Sequence, residues 1–181
     1  MELNVCWMYH DIMDLYGDKG NMMVLQKRCE ERGISITIDT LSIGDQRDLR
    51  VYDLLFLGGG ADKEQMMLID DLLSRRENIR EAMEQGTFVL LICGGYQLLG
   101  NYYKMGDETI EGLGVVNIHT ERGDSRLISN IVLQSDLFPL PIVGFENHGG
   151  RTFIEDYQPL GKVLSGHGNN DKDKGEGIVY K

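Results

Sequence analysis

Phe88-Val89-Leu90-Leu91-Ile92-Cys93-Gly94-Gly95-Tyr96-Gln97-Leu98-Leu99-Gly100 is an apolar run that ends on a cysteine and is followed at once by two glycines. The run reads as a buried strand, and the glycines permit a sharp turn into a following helix. A cysteine at that point faces the positive end of the helix dipole, which favours the thiolate. The pattern is that of a nucleophile at a strand-to-helix elbow, and Cys93 is the candidate catalytic residue.

Upstream of this elbow, strand patterns alternate with helix patterns. Leu3 to Tyr9 reads as a first strand, and Gly20 to Glu31 carries Met22, Met23, Leu25 and Cys29 at helical spacings before Gly33 stops it. Ile34, Ile36 and Ile38 alternate with Ser35, Thr37 and Asp39, a second strand with one polar face. Asp53 to Leu57 is short, apolar and closed by Gly58-Gly59-Gly60, as a buried parallel strand would be. One long helix is expected from about Lys63 to Gln85, followed by the strand that leads to Cys93. This order predicts a doubly wound α/β sheet with its ligand crevice at the carboxyl ends of the strands.

Downstream, Val115 to Thr120, Leu127 to Gln134, Ile142 to Glu146 and Gly161 to Ser165 are strand-like, with glycine, proline and charged turns between them. They predict an antiparallel extension of the sheet. The Gly168 to Gly175 run, rich in Asn, Asp and Lys, reads as a solvated loop.

Composition narrows the partners. The 181 residues fit one domain able to bury roughly 70% of its unfolded surface. Asp and Glu outnumber Lys and Arg by 29 to 18, a net charge of −11, which argues against nucleic acid and anionic membranes. No apolar run approaches the roughly 18 residues of a membrane span and the N-terminus has no basic leader, so neither membrane insertion nor export is expected and a cytoplasmic location is. Cys6, Cys29 and Cys93 are an odd count with no Cys-x-x-Cys pair, so neither a disulfide framework nor a metal site is suggested. Cys6 and Cys29 lie in strand-like and helical runs and read as inert structural thiols.

Two glycine-rich turns follow buried strands and therefore open onto the same sheet edge. Backbone N–H groups of Gly59 and Gly94 directed at the carbon attacked by Cys93 would form an oxyanion hole for an acyl-transfer intermediate. A phosphate cradle is the competing reading of Gly58-Gly59-Gly60, but the Lys-Ser/Thr of a P-loop and a G-x-G-x-x-G pattern are both missing.

These residues carry a family resemblance. Cys93 to Gly100 resembles the nucleophile motif of class I glutamine amidotransferases, and Leu57 to Gln65 resembles the oxyanion loop of their cobyric-acid-synthase-like branch. Within that branch three stretches are similar to the GatD group, the glutaminase subunits of the MurT/GatD lipid II isoglutaminyl synthases: Leu15-Tyr16-Gly17-Asp18-Lys19-Gly20-Asn21, Gly144 to Thr152 and Gly168-Asn169-Asn170-Asp171. The resemblance spans essentially the whole chain. It implies a flavodoxin-like, doubly wound, mainly parallel α/β sheet with an antiparallel C-terminal extension. It also implies a single amidotransferase domain over residues 1–181 that lacks its C-terminal part.

The resemblance further implies that the Cys93 thiolate attacks the side-chain amide of L-glutamine, releasing ammonia to a MurT-like, Mur-ligase-family synthetase that amidates the lipid II stem peptide. No cofactor is expected in this chain; ATP and Mg are expected in the partner. Arg126 is the position that would hold the substrate, a role its guanidinium suits because it can grip a carboxylate at two points. Gln97, one turn into the elbow helix, is read either as a substrate contact or as a local cap.

The chain departs from the family pattern at Leu91, where many relatives place glycine. It departs again in that none of His10, His119, His148 and His167 occupies the family's His-Gly-Pro-like segment, which is expected beyond Lys181. Three readings follow: a lipid II pathway glutaminase; another cysteine enzyme with this elbow, such as a different cobyric-acid-synthase-like amidotransferase or a DJ-1/PfpI-like hydrolase; or a catalytically incomplete scaffold or regulatory subunit.

Overall fold

A computed structural model describes residues 1–15 and 17–180. The chain divides into two compact units, residues 1–98 and 99–181.

The first unit is built on a four-stranded parallel sheet of β1 (Glu2–Met8), β2 (Ser35–Leu41), β3 (Leu54–Leu57) and β4 (Phe88–Leu91), in the order β2-β1-β3-β4. β3, with four apolar residues and neighbours on both sides, is buried throughout. Val5, Leu54 and Phe56 pack against Met22 of helix α1 (Asp18–Glu30), with Leu3, Trp7, Leu25, Ile36, Ile38 and Ile92 around them. Met23, expected on the same helical face, is exposed because the packed face follows Met22, Leu25 and Cys29.

Two details differ from expectation. β4 is the edge of the sheet, and Phe88 and Leu90, which share one face of it, are exposed where a fully buried strand was expected. The long helix is two helices, α2 (Asp62–Ser74) and α3 (Arg76–Glu84), broken at Arg75. Arg75 leaves helical geometry at φ −95, ψ 0 while its side chain enters a buried cluster, with Nε 2.8 Å from Asp71 Oδ2 and 3.2 Å from the Tyr9 hydroxyl.

The strand order reverses direction between β1 and β3, whose successors lie on opposite sides. In open α/β sheets it is beyond the carboxyl ends of the strands, at such a reversal, that ligands bind. Residues 9–15, which follow β1, and the Gly58–Gly60 turn after β3 flank this point.

The short helix α4 (Gly94–Leu99) leads into the second unit, a mixed sheet of its own. Its centre is β7 (Ile118–Gln134), 17 residues long, paired antiparallel with β8 (Ile142–Ile154) and β9 (Gly161–Ser165). The two strands expected at 115–120 and 127–134 are thus one, with a register irregularity between Arg122 and Leu127 absorbing the polar stretch that suggested a break. β5 (Tyr102–Met105) and β6 (Glu108–Glu111) form a hairpin that the sequence reading missed, and β10 (Gly175–Glu176) adds to β9. Gly106, at φ 72, supplies the left-handed turn residue of that hairpin.

The Gly168–Gly175 run is corrected too. Asn169 and Asn170 are 4% and 2% exposed, because their side chains replace backbone partners that an irregular segment lacks. Asn169 accepts from the Gly177 N–H and donates to the Gly177 carbonyl oxygen, while Asn170 accepts from Lys172 and Asp173 and donates to the Thr152 carbonyl oxygen. Only Asp171 to Lys174 are solvated.

Candidate active site

The elbow takes its shape from the nucleophile. Cys93 sits at φ 49, a left-handed conformation that costs a residue bearing a Cβ about 1–2 kcal/mol and persists only where the surroundings enforce it. Gly94 and Gly95, read from sequence as turn formers, have no positive φ. They are small for the sake of packing. A Cβ on Gly94 would lie 2.8 Å from Gln65 Nε2 and 2.9 Å from the Gly60 carbonyl oxygen; one on Gly95 would lie 2.8 Å from the Leu57 carbonyl oxygen and 3.0 Å from that of Gly58. The start of α4 therefore rests directly on the backbone of the glycine turn.

Cys93 is partly exposed, whereas Cys6 and Cys29 are buried. Burial pushes the Cys6 thiol up to about 12, so it stays protonated and inert.

The glycine turn is held from both sides. A Cβ on Gly58 would collide with the Met13 carbonyl oxygen and the Asp18 carboxylate, and one on Gly60 with the Met13 sulfur. The Gly59 carbonyl oxygen accepts from the Leu15 N–H at 3.2 Å, and the Gly59 N–H donates to Asp18 Oδ2 at 3.2 Å. Asp18 is 1% exposed. Its segment is anchored where it leaves β1: the Tyr9 hydroxyl donates to Asp71 Oδ2 at 2.6 Å, and the Gly44 N–H donates to Asp71 Oδ1 at 2.9 Å. Burial and the Asp71 carboxylate push the Tyr9 phenol up. Burial also pushes the Asp71 carboxyl up, but hydrogen bonds from Arg75, Tyr9 and Gly44 outweigh it and hold the group below its usual range. Of the Leu15–Asn21 stretch, Tyr16 lies outside the described residues.

Gln65 joins turn and elbow. It is 1% exposed, and its Nε2 donates to the Gly60 carbonyl oxygen at 3.3 Å and to Gln97 Oε1 at 3.4 Å. Its Oε1 has no hydrogen-bond partner among the described residues. Gln97 is buried, with its side-chain oxygen turned to Gln65 and its N–H bonded to the Cys93 carbonyl oxygen at 3.0 Å. The first unit thus gathers Gly59, Cys93, Gly94 and Gln97 around one turn. It also adds Asp18 and Gln65, which sequence reasoning quoted within motifs but did not assign.

In the second unit Arg126 is exposed on β7, where its Nε donates to Asn147 Oδ1 at 3.0 Å and its Nη2 to the Asn147 carbonyl oxygen at 2.9 Å. The Gly144–Thr152 stretch is largely scaffold. Burial pushes the Glu146 carboxyl up, but bonds from the Ser129 hydroxyl and the Gly168 and His167 N–H groups prevail and keep it below the usual carboxylate range. It thereby ties β8 to the loop before Asn169.

The histidines are engaged locally. The His10 and Trp7 rings meet edge to face with centroids 5.6 Å apart, His119 stacks between Tyr102 and Phe153, and His167 bonds Asp171 at 3.0 Å. His148 Nδ1 lies 2.8 Å from the Gly150 carbonyl oxygen. Burial pushes its pKa down, and the Arg151 and Arg126 charges act in the same direction.

A partly exposed cysteine in a strained elbow packed on a glycine turn is an arrangement that can serve nucleophilic attack at an acyl carbon. Among the described residues no three or more His, Cys, Asp or Glu side chains converge on a metal site, and no helix is long and apolar enough to cross a membrane. A sequence model of the CobB/CobQ-like glutamine amidotransferase domain matches residues 4–181. The chain belongs to this family.

Among relatives of this amidotransferase is subunit GatD of the glutamine-hydrolysing lipid II isoglutaminyl synthase of Streptococcus pneumoniae, 43% identical over 183 residues, 99% of this chain and 70% of that protein. The GatD subunit of Staphylococcus aureus is 42% identical over 181 residues, 99% of this chain and 74% of its own length. Cobyric acid synthase of Mesorhizobium japonicum is 32% identical over 109 residues, 54% of this chain and 22% of that protein.

Proposed function

We propose that this amidotransferase is the glutaminase subunit of a lipid II isoglutaminyl synthase. The observation that carries the reading is identity of 43% and 42% to two GatD subunits across 99% of the chain. The strained Cys93 elbow on its glycine turn supports it, being the device such a subunit needs.

In this reading the Cys93 sulfur attacks the γ-carboxamide carbon of L-glutamine while a base within hydrogen-bond reach takes the thiol proton. The N–H groups of Gly94 and Gly59 hold the developing oxyanion, ammonia leaves, and water cleaves the γ-glutamyl thioester to glutamate. Arg126, braced by Asn147, holds the substrate α-carboxylate. Gln97, turned toward Gln65, shapes the wall of the site rather than its chemistry. The ammonia passes to a MurT-like synthetase of the Mur-ligase family, in which ATP and Mg activate the stem-peptide carboxylate. Ammonia set free in water would be lost, so the two subunits work as a cytoplasmic complex.

Incubation with 6-diazo-5-oxonorleucine should place one adduct on Cys93, with excess L-glutamine protecting it. Lipid II amidation by the co-expressed pair should follow glutamine and be lost in Cys93→Ala, yet be rescued by ammonium. Labelling that glutamine does not suppress would refute the substrate, and amidation that survives Cys93→Ala with glutamine alone would refute the nucleophile.

A further inference from the structure

The oxyanion donor proposed for this site is already committed. The Gly59 N–H points at Asp18 Oδ2, 3.2 Å away, and the carboxylate packs against Gly58, so close that a Cβ there would meet Asp18 Cγ at 2.6 Å. The other face of the same peptide unit pair is fixed as well, by the Leu15 N–H on the Gly59 carbonyl oxygen. An N–H that donates to a carboxylate cannot point at a second anion, and a carboxylate with 1% exposure beside the turn would repel one. We infer that Asp18 is a positioning residue that acts through Gly59: it latches the oxyanion turn, and acyl transfer requires the latch to open.

This inference rests on the glutaminase reading and adds a prediction to it. Release of the Gly59 N–H is an uphill step that every attack on an acyl carbon must include, whereas binding of glutamine in its ground state does not include it. Removing the Asp18 acceptor therefore strengthens binding of tetrahedral species and leaves ground-state binding alone.

The probe is L-glutamate γ-semialdehyde. Its aldehyde carbon forms a bond with Cys93 sulfur, the carbonyl π pair moves to oxygen, and the thiol proton ends on that oxygen, so the thiohemiacetal forms with no leaving group. Affinity is read as protection of Cys93 from iodoacetamide in the natural chain. Asp18→Ala should bind the aldehyde on the order of 10- to 100-fold more tightly than the wild type, the size of one hydrogen bond to a charged group. Asp18→Asn, isosteric and uncharged, should fall between. Protection by glutamine itself should change by less than about threefold, as uniform binding is untouched.

Circular dichroism checks the fold; if Asp18→Ala unfolds, Asp18→Asn decides. Aldehyde affinity that is unchanged or weaker in a folded variant overturns the latch. Failure of the glutaminase reading looks different: Cys93 of the wild type would then show no glutamine-protected reaction with 6-diazo-5-oxonorleucine at all.

Discussion

Gly95→Ala tests whether the double glycine serves packing or turning. The added methyl would stand 2.8 Å from the Leu57 carbonyl oxygen and 3.0 Å from that of Gly58, both backbone atoms of the β3 end that cannot swing aside. Ordinary contact begins at 3.4 Å, so α4 must retreat by 3.4 − 2.8 = 0.6 Å. Overpacking of this kind costs about 1–3 kcal/mol, which for a chain of this length lowers the melting temperature by roughly 5 °C. Because α4 carries the Gly94 N–H and begins beside Cys93, the shift also moves the reacting groups. A misplacement near 1 Å costs on the order of 100-fold in rate, so this one should slow labelling of Cys93 by 6-diazo-5-oxonorleucine by roughly 10-fold.

The matched control is Gly20→Ala, in the first turn of α1, where nothing lies within 4 Å and φ is not positive. That substitution should raise stability by roughly 0.5–1 kcal/mol and leave the labelling rate alone. If Gly95→Ala melts with the wild type and labels at the wild-type rate, the close approach of α4 to the glycine turn is not what requires glycine there.

The Tyr9, Asp71 and Arg75 cluster gives a second prediction: Tyr9→Phe leaves a buried acceptor short of one donor and should cost about 1–3 kcal/mol in urea denaturation, and a loss below measurement would deny the anchor a role. Glu176 gives a third. Burial, with the Glu146 and Asp173 charges, raises its carboxyl from the ordinary 4.5 to about 7, so its contribution is fully present below pH 4.5 and is lost as pH rises through 7. Glu176→Gln should remove a decline of up to roughly 3 kcal/mol between those limits and be the more stable form at pH 8; parallel pH profiles of the two proteins would contradict it. Finally, iodoacetamide at pH 8 should modify Cys93 and spare Cys6 and Cys29 in the folded chain, as peptide mass mapping can read, because only Cys93 is accessible.

What the sequence made legible is periodic and local. β1, β2 and β3 announce themselves through apolar runs closed by turn residues, and the elbow through a cysteine that ends one such run. What it concealed depends on partners distant in the chain. Nothing between Lys63 and Gln85 marks Arg75 as a break, because the break follows from Tyr9, 66 residues away, accepting its guanidinium. Phe88 and Leu90 are exposed because their shared face of β4 is left uncovered, which no local pattern in an apolar run encodes. The β5–β6 hairpin is the exception, since Gly106-Asp107 between strand-like residues was a readable signal.

The candidate site divides along the same line. Cys93 was readable because a nucleophile's demands, a strand end and a helix start, are met by its own neighbours. The reason for its glycines was not, since Gly94 and Gly95 are set by Gln65 and by the backbone of Leu57 to Gly60. Asp18 is the limiting case. Its motif could be matched letter by letter, yet its contact with Gly59 spans 41 residues and opposes the role that the same motif-reading gives to Gly59. A motif records which residues a site keeps; only the distance from Asp18 to the Gly59 N–H shows that the Asp18 carboxylate and an oxyanion would compete for the same donor, and that competition is where control of the nucleophile can reside.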